Sequence, residues 1–455
     1  MRIMLVGAGK VGQDLAMHLT TEEHDVVVID ENEEVLRHCE DTLDVLCIHG
    51  NGADAQTLIS GGVDRTDILI AATDADEVNM LCCLIGKRLG AKYAIARIRD
   101  PQYNESLTLL QRELGIDMVT NPERATAQEI SRLLRFPFAG SIESFARGHV
   151  EMVEFRAQEK DAMVGMPLKD VASRYRDMPR VLYAAVERDG RVTIPTGDFI
   201  IRSGDRVFVT ADTVTITGYF RYLGKNTKPV RHVMIMGGGK ISYYLARIIV
   251  PMGIRVTMIE KDPEKAARLS EQMPHVNLLC GDGTDQELLE QEGIRQVDAF
   301  VALGDRDEEN LMTGLFASRI GVPKVVVKNN RVLYADLISA MGLDSVVSPK
   351  DITSANILRY VRARINSGGT KVEKLYRLVS GKAEALEFIA RPADPYIGIP
   401  LKDLHMRQDT LVAIIVRRGK VIVPFGNDQI EAGDSVVIMA RESGLTDLND
   451  IITVK

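Results

Sequence analysis

The chain has 455 residues, of which 45% are hydrophobic and 26% charged, and its formal net charge at pH 7 is -8. This length predicts about two to four domains. The acidic balance argues against a protein that wraps nucleic acid or sits directly on an anionic membrane. No apolar run approaches the ~18 residues of a transmembrane helix, so we expect no direct membrane insertion.

The chain opens with short apolar runs that alternate with helical patterns. Met1–Gly7 reads as a buried strand rather than a targeting segment. In the first helical pattern, Val11, Leu15 and Leu19 form an i, i+4, i+8 stripe. Continuous apolar strands between helices are typical of a parallel sheet covered on both faces. The strands are predicted near Ile3–Val6, Val26–Asp30, Val45–His49, Ile68–Ala72 and Tyr93–Ile98.

A different pattern follows near residues 145–215. A Gly-Met-Pro-Leu-Lys-Asp turn at 165–170 leads into three short strand-like runs, with a tight Asp189-Gly190 turn between the first two. This pattern predicts a small antiparallel sheet with hairpins. The runs are Val181–Glu187, Arg191–Ile194 and Arg206–Thr210.

The whole arrangement is then repeated about 230 residues later. The segment Gly7–Gly12 aligns with Gly237–Ser242, and Gly50–Gly52 aligns with Gly281–Gly283. The register continues into the second pattern, where Val164–Asp170 aligns with Ile397–Asp403. A register held over most of the chain indicates duplication of one unit. The predicted fold class is therefore α/β, with two Rossmann-type doubly wound parallel sheets, each followed by a small α+β domain.

The two patterns and the repeat set the domain boundaries. An amphipathic helix over Pro122–Arg135 closes the first Rossmann-type domain. The segments Gly224–Pro229 and Asn366–Thr370 are polar joints. The predicted domains are 1–136 (Rossmann-type), 137–223 (small), 229–366 (Rossmann-type) and 371–455 (small).

The glycine-rich turn after the first strand is the main functional motif. A GxGxxG pattern alone is weak evidence, but here it follows a strand, opens an amphipathic helix and precedes an acid, Asp30, at the end of the next strand. These are the requirements of a dinucleotide site, with pyrophosphate at the helix N-terminus and Asp30 on the ribose hydroxyls. Asp30 would repel a 2′-phosphate, which favours NAD(H) or a plain adenine nucleotide such as ATP or ADP over NADP(H). The turn residues are Gly7, Ala8, Gly9, Lys10, Val11 and Gly12.

The second repeat keeps most of this motif. Ser242 stands in place of the third glycine, and Glu260 keeps the acid at the strand end, so the sequence leaves open whether this second site binds a ligand. Its remaining turn residues are Gly237, Gly238, Gly239, Lys240 and Ile241.

Other loops at the carboxyl edge of each sheet add candidate ligand contacts. Asn51 is a candidate for adenine, as is Asp282 in the second repeat, and Gly281 beside Asp282 is a further candidate for the ligand site. Thr73 and Asp74, with Leu303 and Gly304 in the second repeat, follow the fourth strand and are candidates for the phosphate or nicotinamide side. Arg97 and Lys328 end the fifth strand and could neutralise phosphate.

No catalytic constellation accompanies these sites. The eight histidines form no metal-ligand spacing, and we find no nucleophile elbow, no P-loop and no evident proton donor for hydride transfer. We therefore expect no enzyme, no catalytic residues and no metal site. An NAD-dependent oxidoreductase is the first alternative, because the glycine motif by itself would also suit one.

The motifs resemble the RCK (regulator of potassium conductance, or KTN) family. The resemblance rests on Gly7–Gly12, Val28–Asp30, Gly50–Ala53, Ala72–Asp74 with Asn79, and Ile95–Arg97, followed by Gly165–Leu168 and Gly204-Asp205. It implies a homo-oligomeric ring, a dimer or tetramer of chains, that binds NAD(H) and adenine nucleotides and regulates a separate membrane potassium channel or transporter. It also implies a cytoplasmic location at the inner face of the membrane, through that partner. A nucleotide sensor of another ion transporter is the second alternative.

Overall fold

The computed structural model describes most of the chain. The described residues are 1–103, 106–145, 150–225, 228–330, 343, 345–365, 372–378, 383–441, 448–450 and 452–453. The predicted joint Asn366–Thr370 lies outside the described residues, as do residues 226 and 227 of the first linker.

The first Rossmann-type sheet has six parallel strands in the order β3-β2-β1-β4-β5-β6. Strand order reverses beside β1, which creates the crevice at the carboxyl edge where ligands bind in such sheets. All five predicted strands are confirmed, and a sixth joins the edge. The strands are β1 Arg2–Val6, β2 Asp25–Asp30, β3 Leu46–His49, β4 Ile68–Ala71, β5 Tyr93–Arg97 and β6 Met118–Thr120. The helices are α1 Lys10–Thr21, α2 Glu33–Thr42, α3 Ala55–Ser60, α4 Asp76–Leu89, α5 Leu107–Leu114 and α6 Pro122–Arg135.

The first small domain is an antiparallel sheet in the order β10-β9-β11-β8-β7. The predicted hairpin turn is confirmed, since Asp189 and Gly190 both have positive φ (50° and 72°), as a two-residue primed turn requires. The strands are β7 Ile142–Phe145, β8 Val150–Arg156, β9 Leu182–Arg188, β10 Arg191–Thr193 and β11 Arg206–Ala211, and the helices are α7 Leu168–Arg174 and α8 Thr213–Tyr222.

The second Rossmann-type sheet repeats the first, in the order β14-β13-β12-β15-β16-β17. The strands are β12 His232–Met236, β13 Arg255–Glu260, β14 Asn277–Cys280, β15 Ala299–Ala302, β16 Lys324–Lys328 and β17 Val346–Val347. The helices are α9 Lys240–Ile249, α10 Pro263–Gln272, α11 Gln286–Gln291, α12 Asp307–Arg319 and α13 Pro349–Ile365.

The second small domain has five strands in the order β18-β19-β23-β21-β22, with a two-stranded pair β20-β24 beside them. Its inner face shares one apolar core with the first small domain, in which Ala185 and Phe208 pack with Ala385 and Val437. The strands are β18 Val372–Leu378, β19 Ala383–Ile389, β20 His405–Met406, β21 Thr410–Arg417, β22 Lys420–Ile422, β23 Ser435–Ala440 and β24 Ile452–Thr453.

The two compact units of the structure do not coincide with the two sequence repeats. One compact unit is Met1–Ala127 with Ser348–Val361, and the other is Gln128–Val347 with Arg362–Lys455. Most of α13, which follows the second sheet in sequence, therefore belongs to the unit of the first sheet. The hydrophobic periodicity of α13 does not predict which sheet the helix packs on, because an amphipathic helix fits any apolar sheet face of suitable shape.

Helix α13 is held at both ends by polar contacts. In its first two turns, Lys350 Nζ lies 3.0 Å from Asp14 Oδ1 and Ser354 Oγ donates to Asp14 Oδ2 at 2.6 Å. In its last turn, Arg362 forms a buried ion pair with Glu384 of β19, with Nη2 3.2 Å from Oε1. Between them, Ile357, Leu358 and Val361 join the apolar core of the first sheet with residues of β1, β2 and α1.

We expect Leu358→Ala to destabilise the unit of the first sheet. Leu358 is 1% exposed, and deleting a buried leucine side chain costs about 2–5 kcal/mol. The measurement is the free energy of opening, taken from hydrogen-exchange protection of the β1–β5 amides. The matched control is Leu109→Ala, because Leu109 lies in the same unit but is 54% exposed. Equal protection in the two variants would contradict the packing of α13 into this core.

Candidate functional site

The glycine turn after β1 is shaped by the loop after β4. Gly7 has φ +98°, and a Cβ there would lie 2.8 Å from the Thr73 nitrogen. A Cβ at Gly12 would lie 2.0 Å from the Gly7 carbonyl oxygen. Both positions therefore require glycine for the fold alone, whatever the turn binds.

Gly9 is different, because its backbone borders open space. It has φ −66° and precedes the first residue of α1, and a Cβ there would meet nothing within 4 Å. The fold does not need glycine here, whereas a pyrophosphate approaching the helix N-terminus does. The cradle therefore fits a nucleotide diphosphate, and Gly7–Gly12 are the residues that would hold it. Lys10, at the rim of the turn, is exposed.

Asp30 is fixed at the end of β2 by two backbone donors. The Ala8 N–H donates to Oδ2 at 2.6 Å, and the Asn32 N–H donates to Oδ1 at 2.8 Å. Among the described residues each Asp30 oxygen thus accepts one hydrogen bond. Since a carboxylate oxygen has two lone pairs, the side chain keeps an acceptor site on each oxygen, which suits the two hydroxyls of a ribose.

Asn79 on α4 joins two of the ligand-facing loops. It is fully buried, and its Oδ1 accepts from the backbone N–H and the hydroxyl of Thr73, both at 2.8 Å. Its Nδ2 donates to the Thr73 and Arg97 carbonyls at 3.1 and 2.9 Å. Asn79 therefore positions the loops after β4 and β5. It was not among the residues predicted for the site, although its match to Asn310 in the repeat was the available signal.

A guanidinium lies partly desolvated at the end of β5. The Arg97 side chain is 12% exposed, and its Nη1 lies 3.6 Å from Asp74 Oδ1, whose side chain is 96% exposed. Arg97 Nε has no hydrogen-bond partner among the described residues. Burial and the nearby charge of Arg99 lower the pKa of Arg97, so an added anion would be stabilised there. Arg99, which was not predicted from the sequence, lies 3.9 Å from the same Asp74 carboxylate.

The loop after the third strand folds on its own polar side chain. Asn51 Oδ1 accepts from the Ala53 N–H at 2.7 Å, and Asp282 Oδ1 accepts from the Thr284 N–H at 2.9 Å. Asp282 Oδ1 also accepts from the Thr284 hydroxyl at 2.7 Å, so these bonds occupy one acceptor position of Asn51 and two of Asp282. Contact of Asn51 or Asp282 with adenine, and of Gly281 with a bound ligand, stays a prediction.

The second repeat forms the same turn with different side chains. Gly237 has φ +94°, and Gly239 again borders open space. The Ser242 hydroxyl donates to the Gly237 carbonyl at 2.5 Å. This carbonyl corresponds to that of Gly7, which a Cβ on Gly12 would meet in the first repeat. The serine therefore braces the turn, which keeps its shape without a third glycine.

Glu260 replaces Asp30 and has an additional partner. Its Oε2 accepts from the Gly238 N–H at 3.0 Å and from Lys265 Nζ at 2.7 Å, and its Oε1 accepts from the Asp262 N–H at 3.0 Å. Burial raises the pKa of the Glu260 carboxyl, but these donors outweigh burial and hold the pKa below its usual range. A Cβ at Gly238 would lie 2.9 Å from Oε2, which explains glycine opposite the longer acid and Ala8 opposite Asp30.

The remaining residues of the second cleft include Asn310, which was not predicted from the sequence, and several that were. Asn310 is buried and donates to the Gly304 and Lys328 carbonyls at 3.0 and 3.1 Å, but its Oδ1 has no partner among the described residues. The Leu303 side chain is 4% exposed and belongs to the core, so only its backbone borders the turn. Lys328 is half-buried at the end of β16, and Lys240 and Ile241 are exposed and buried, respectively.

Neither a metal cluster nor a membrane-spanning helix accompanies the clefts in the part of the chain that the structure describes. Those residues contain no group of three or more His, Cys, Asp or Glu side chains placed to hold a metal ion. None of the helices within the described ranges is long and apolar enough to cross a membrane.

The fold defines a tandem protein of two Rossmann-type domains, each with an open glycine cradle and each followed by a small antiparallel domain. Family models agree with this class over most of the chain. The TrkA-N domain matches residues 3–122 and 233–349, and the TrkA-C domain matches residues 152–224 and 386–453. The chain therefore belongs to the TrkA family, and the resemblance seen in its motifs is confirmed.

Full-length relatives agree with the family. The Trk system potassium uptake protein TrkA homolog of Archaeoglobus fulgidus is 33% identical over 455 residues, covering 99% of this chain and 100% of the relative. The Trk system potassium uptake protein TrkA of Vibrio alginolyticus is 33% identical over 446 residues, covering 96% of this chain and 95% of the relative.

Solved structures support the fold. The GsuK channel bound to NAD matches with a TM-score of 0.61 and 18% identity, covering 97% of this chain and 77% of that one. The GsuK RCK domain matches with a TM-score of 0.60 and 18% identity, covering 97% and 92%. At this identity the likeness extends to the fold alone.

We expect Gly9→Val to weaken nucleotide binding at the first cleft by about tenfold or more, a loss of at least ~1.4 kcal/mol. A branched side chain would occupy the open space that a pyrophosphate needs, while the ordinary φ of Gly9 lets the variant fold. Calorimetric titration with NADH measures the loss. In the matched variant Gly12→Val we expect a lower melting temperature, because its Cβ meets a carbonyl. Unchanged affinity in folded Gly9→Val would show that the turn is only structural.

Proposed function

We propose that the chain is the peripheral regulatory subunit of a potassium uptake system and binds NAD(H) or adenine nucleotides in its Rossmann-type clefts. The observation that carries the proposal is the presence of two open glycine cradles, each beside a backbone-anchored acid, in a chain of the TrkA family. Potassium uptake is proposed because the relatives are named as Trk system potassium uptake proteins. NAD is proposed as a ligand because the GsuK channel structure contains it.

The proposed residues at the first cleft have separate tasks. Gly7–Gly12 receive the diphosphate at the N-terminus of α1, Asp30 binds the ribose hydroxyls, and Arg97 stabilises negative charge near Thr73 and Asp74. The corresponding residues act at the second cleft. NAD(H) is the preferred ligand class, and ATP and ADP share the adenosine diphosphate portion that these residues recognise.

Regulation follows from a difference in affinity between two arrangements of the protein. A nucleotide shifts the population only if it binds one arrangement more tightly than the other. Helix α1 begins at the glycine turn, and its Asp14 binds Lys350 and Ser354 of α13 within the same compact unit. Within the other unit, Arg362 pairs with Glu384 of the second small domain.

The proposed partner is an integral membrane potassium channel or transporter subunit, and the proposed location is the cytoplasmic face of the membrane. Since one chain holds two pseudo-equivalent units, a dimer or tetramer of chains could close a ring. The proposed domains are 1–136, 137–223, 229–366 and 371–455. The proposed role involves no catalysis, no nucleic acid and no direct insertion into the membrane.

We expect Asp30→Ala to weaken NADH or ADP binding at the first cleft roughly ten- to hundredfold, because hydrogen bonds to charged groups contribute ~1.5–3 kcal/mol. Calorimetric titration of the full chain with NADH, NAD, ATP and ADP counts the sites and measures this change. The control is Asp25→Ala, which removes an exposed carboxylate at the opposite end of the same strand.

Three results would argue against the proposal. Unchanged affinity in Asp30→Ala would show that the ribose does not bind at the end of β2. Absence of nucleotide binding by the unaltered chain would show that both clefts have only a structural role. Substrate-dependent turnover of NADH at 340 nm would favour an oxidoreductase instead. Co-purification with a membrane protein that carries potassium would support the proposed partner.

A further inference from the structure

The two clefts differ most at the end of the second strand of each sheet, where a ribose would lie. In the first cleft the loop after β2 is acidic, and a concave surface beside it is lined by Asp30, Glu31, Asn32, Glu33, Glu34 and Arg37. Arg37 is already paired with Glu33, Nη2 to Oε1 at 2.9 Å. A dianionic phosphate entering this surface would meet carboxylates on most sides.

The second cleft carries cations at two of the corresponding positions. Helices α2 and α10 start and end at the same offset, so Lys261 corresponds to Glu31 and Lys265 corresponds to Val35. Lys265 lies in the first turn of α10, and its ammonium reaches back to Glu260 Oε2 at 2.7 Å. That same oxygen accepts from the Gly238 N–H of the glycine turn. The ammonium therefore lies at the ribose side of the cradle.

The supply of acceptors differs as well. Asp30 keeps a second lone pair on each oxygen for a ribose hydroxyl. Glu260 has two donors on Oε2 and one on Oε1, so only Oε1 keeps an acceptor site. Lys265 adds an ammonium with three N–H donors, of which Glu260 takes one. The second cleft thus offers donors and a neutralised acid where the first offers acceptors and excess negative charge.

We propose that the second cleft accepts adenine dinucleotides with a phosphate at the ribose 2′ position, such as NADP(H), and that Lys265 is the residue that binds this phosphate. This inference rests on the proposed function of the clefts. The first cleft excludes the same ligand through Asp30 and its acidic neighbours. One chain then senses two chemically distinct dinucleotide pools through two related sites.

The test isolates the second cleft by blocking the first with Gly9→Val in the full-length chain. NADPH and NADH are titrated calorimetrically into this variant and into Gly9→Val/Lys265→Val. Valine is the matched substitution, because Val35 holds this position in the first repeat. We expect Lys265→Val to weaken NADPH binding about tenfold or more, the effect of one charge-assisted hydrogen bond, and to change NADH binding much less. Lys265→Arg, which keeps the cation, should retain NADPH.

Two results would overturn the inference. One is NADH binding to the Gly9→Val chain with no detectable NADPH binding, and the other is an NADPH affinity that Lys265→Val leaves unchanged in the folded protein. Both leave the proposed nucleotide function intact. Failure of the unaltered chain to bind either dinucleotide would overturn that function and this inference together. If Gly9→Val does not fold, the unaltered chain is titrated with NADPH while NADH is saturating, and no displacement from either site would overturn the inference.

Discussion

The close approach of two loops determines the geometry of each cleft. In the first repeat the turn after β1 passes so near the loop after β4 that a Cβ on Gly7 would lie 2.8 Å from a backbone nitrogen. The second repeat keeps the constraint at Gly237, where the nearest backbone atom would lie at 3.0 Å. This contact points the N-terminus of α1 or α9 into the crevice at the switch of strand order. The acid of the next strand, the buried asparagine and the cationic residue all take their positions around that turn.

Duplication allowed the two clefts to diverge while the turn stayed constant. Ser242 donates to the Gly237 carbonyl, which corresponds to the Gly7 carbonyl that faces Gly12 in the first repeat. Gly238 makes room for the longer Glu260 side chain. These are compensating changes in packing, and they preserve the cradle. Lys265 also pairs with the buried Glu260 carboxylate, and together with Lys261 it alters the charge at the ligand side. A difference in ligand chemistry gives this change of charge a physical reason.

Much of this organisation could be predicted from the sequence, because local patterns encode it directly. Apolar runs located β1 to β5, the Asp189-Gly190 turn located a hairpin, and the repeat located the second half of the chain. The packing of α13 into the first unit could not be predicted, because its partner lies more than 300 positions away in sequence. The Lys265–Glu260 pair was missed for a different reason, since a lysine on a predicted helix is interpreted as a solvated surface residue until its partner is known.

In the proposed function, nucleotide binding at these clefts regulates potassium uptake. The most direct measurement is initial potassium uptake in cells that lack this chain and are complemented with the unaltered chain, Asp30→Ala or Asp25→Ala at equal expression. We predict that Asp25→Ala restores uptake like the unaltered chain and that Asp30→Ala changes both the rate and its dependence on the cellular NADH level. Identical uptake with all three chains, together with confirmed loss of nucleotide binding in Asp30→Ala, would contradict the claim.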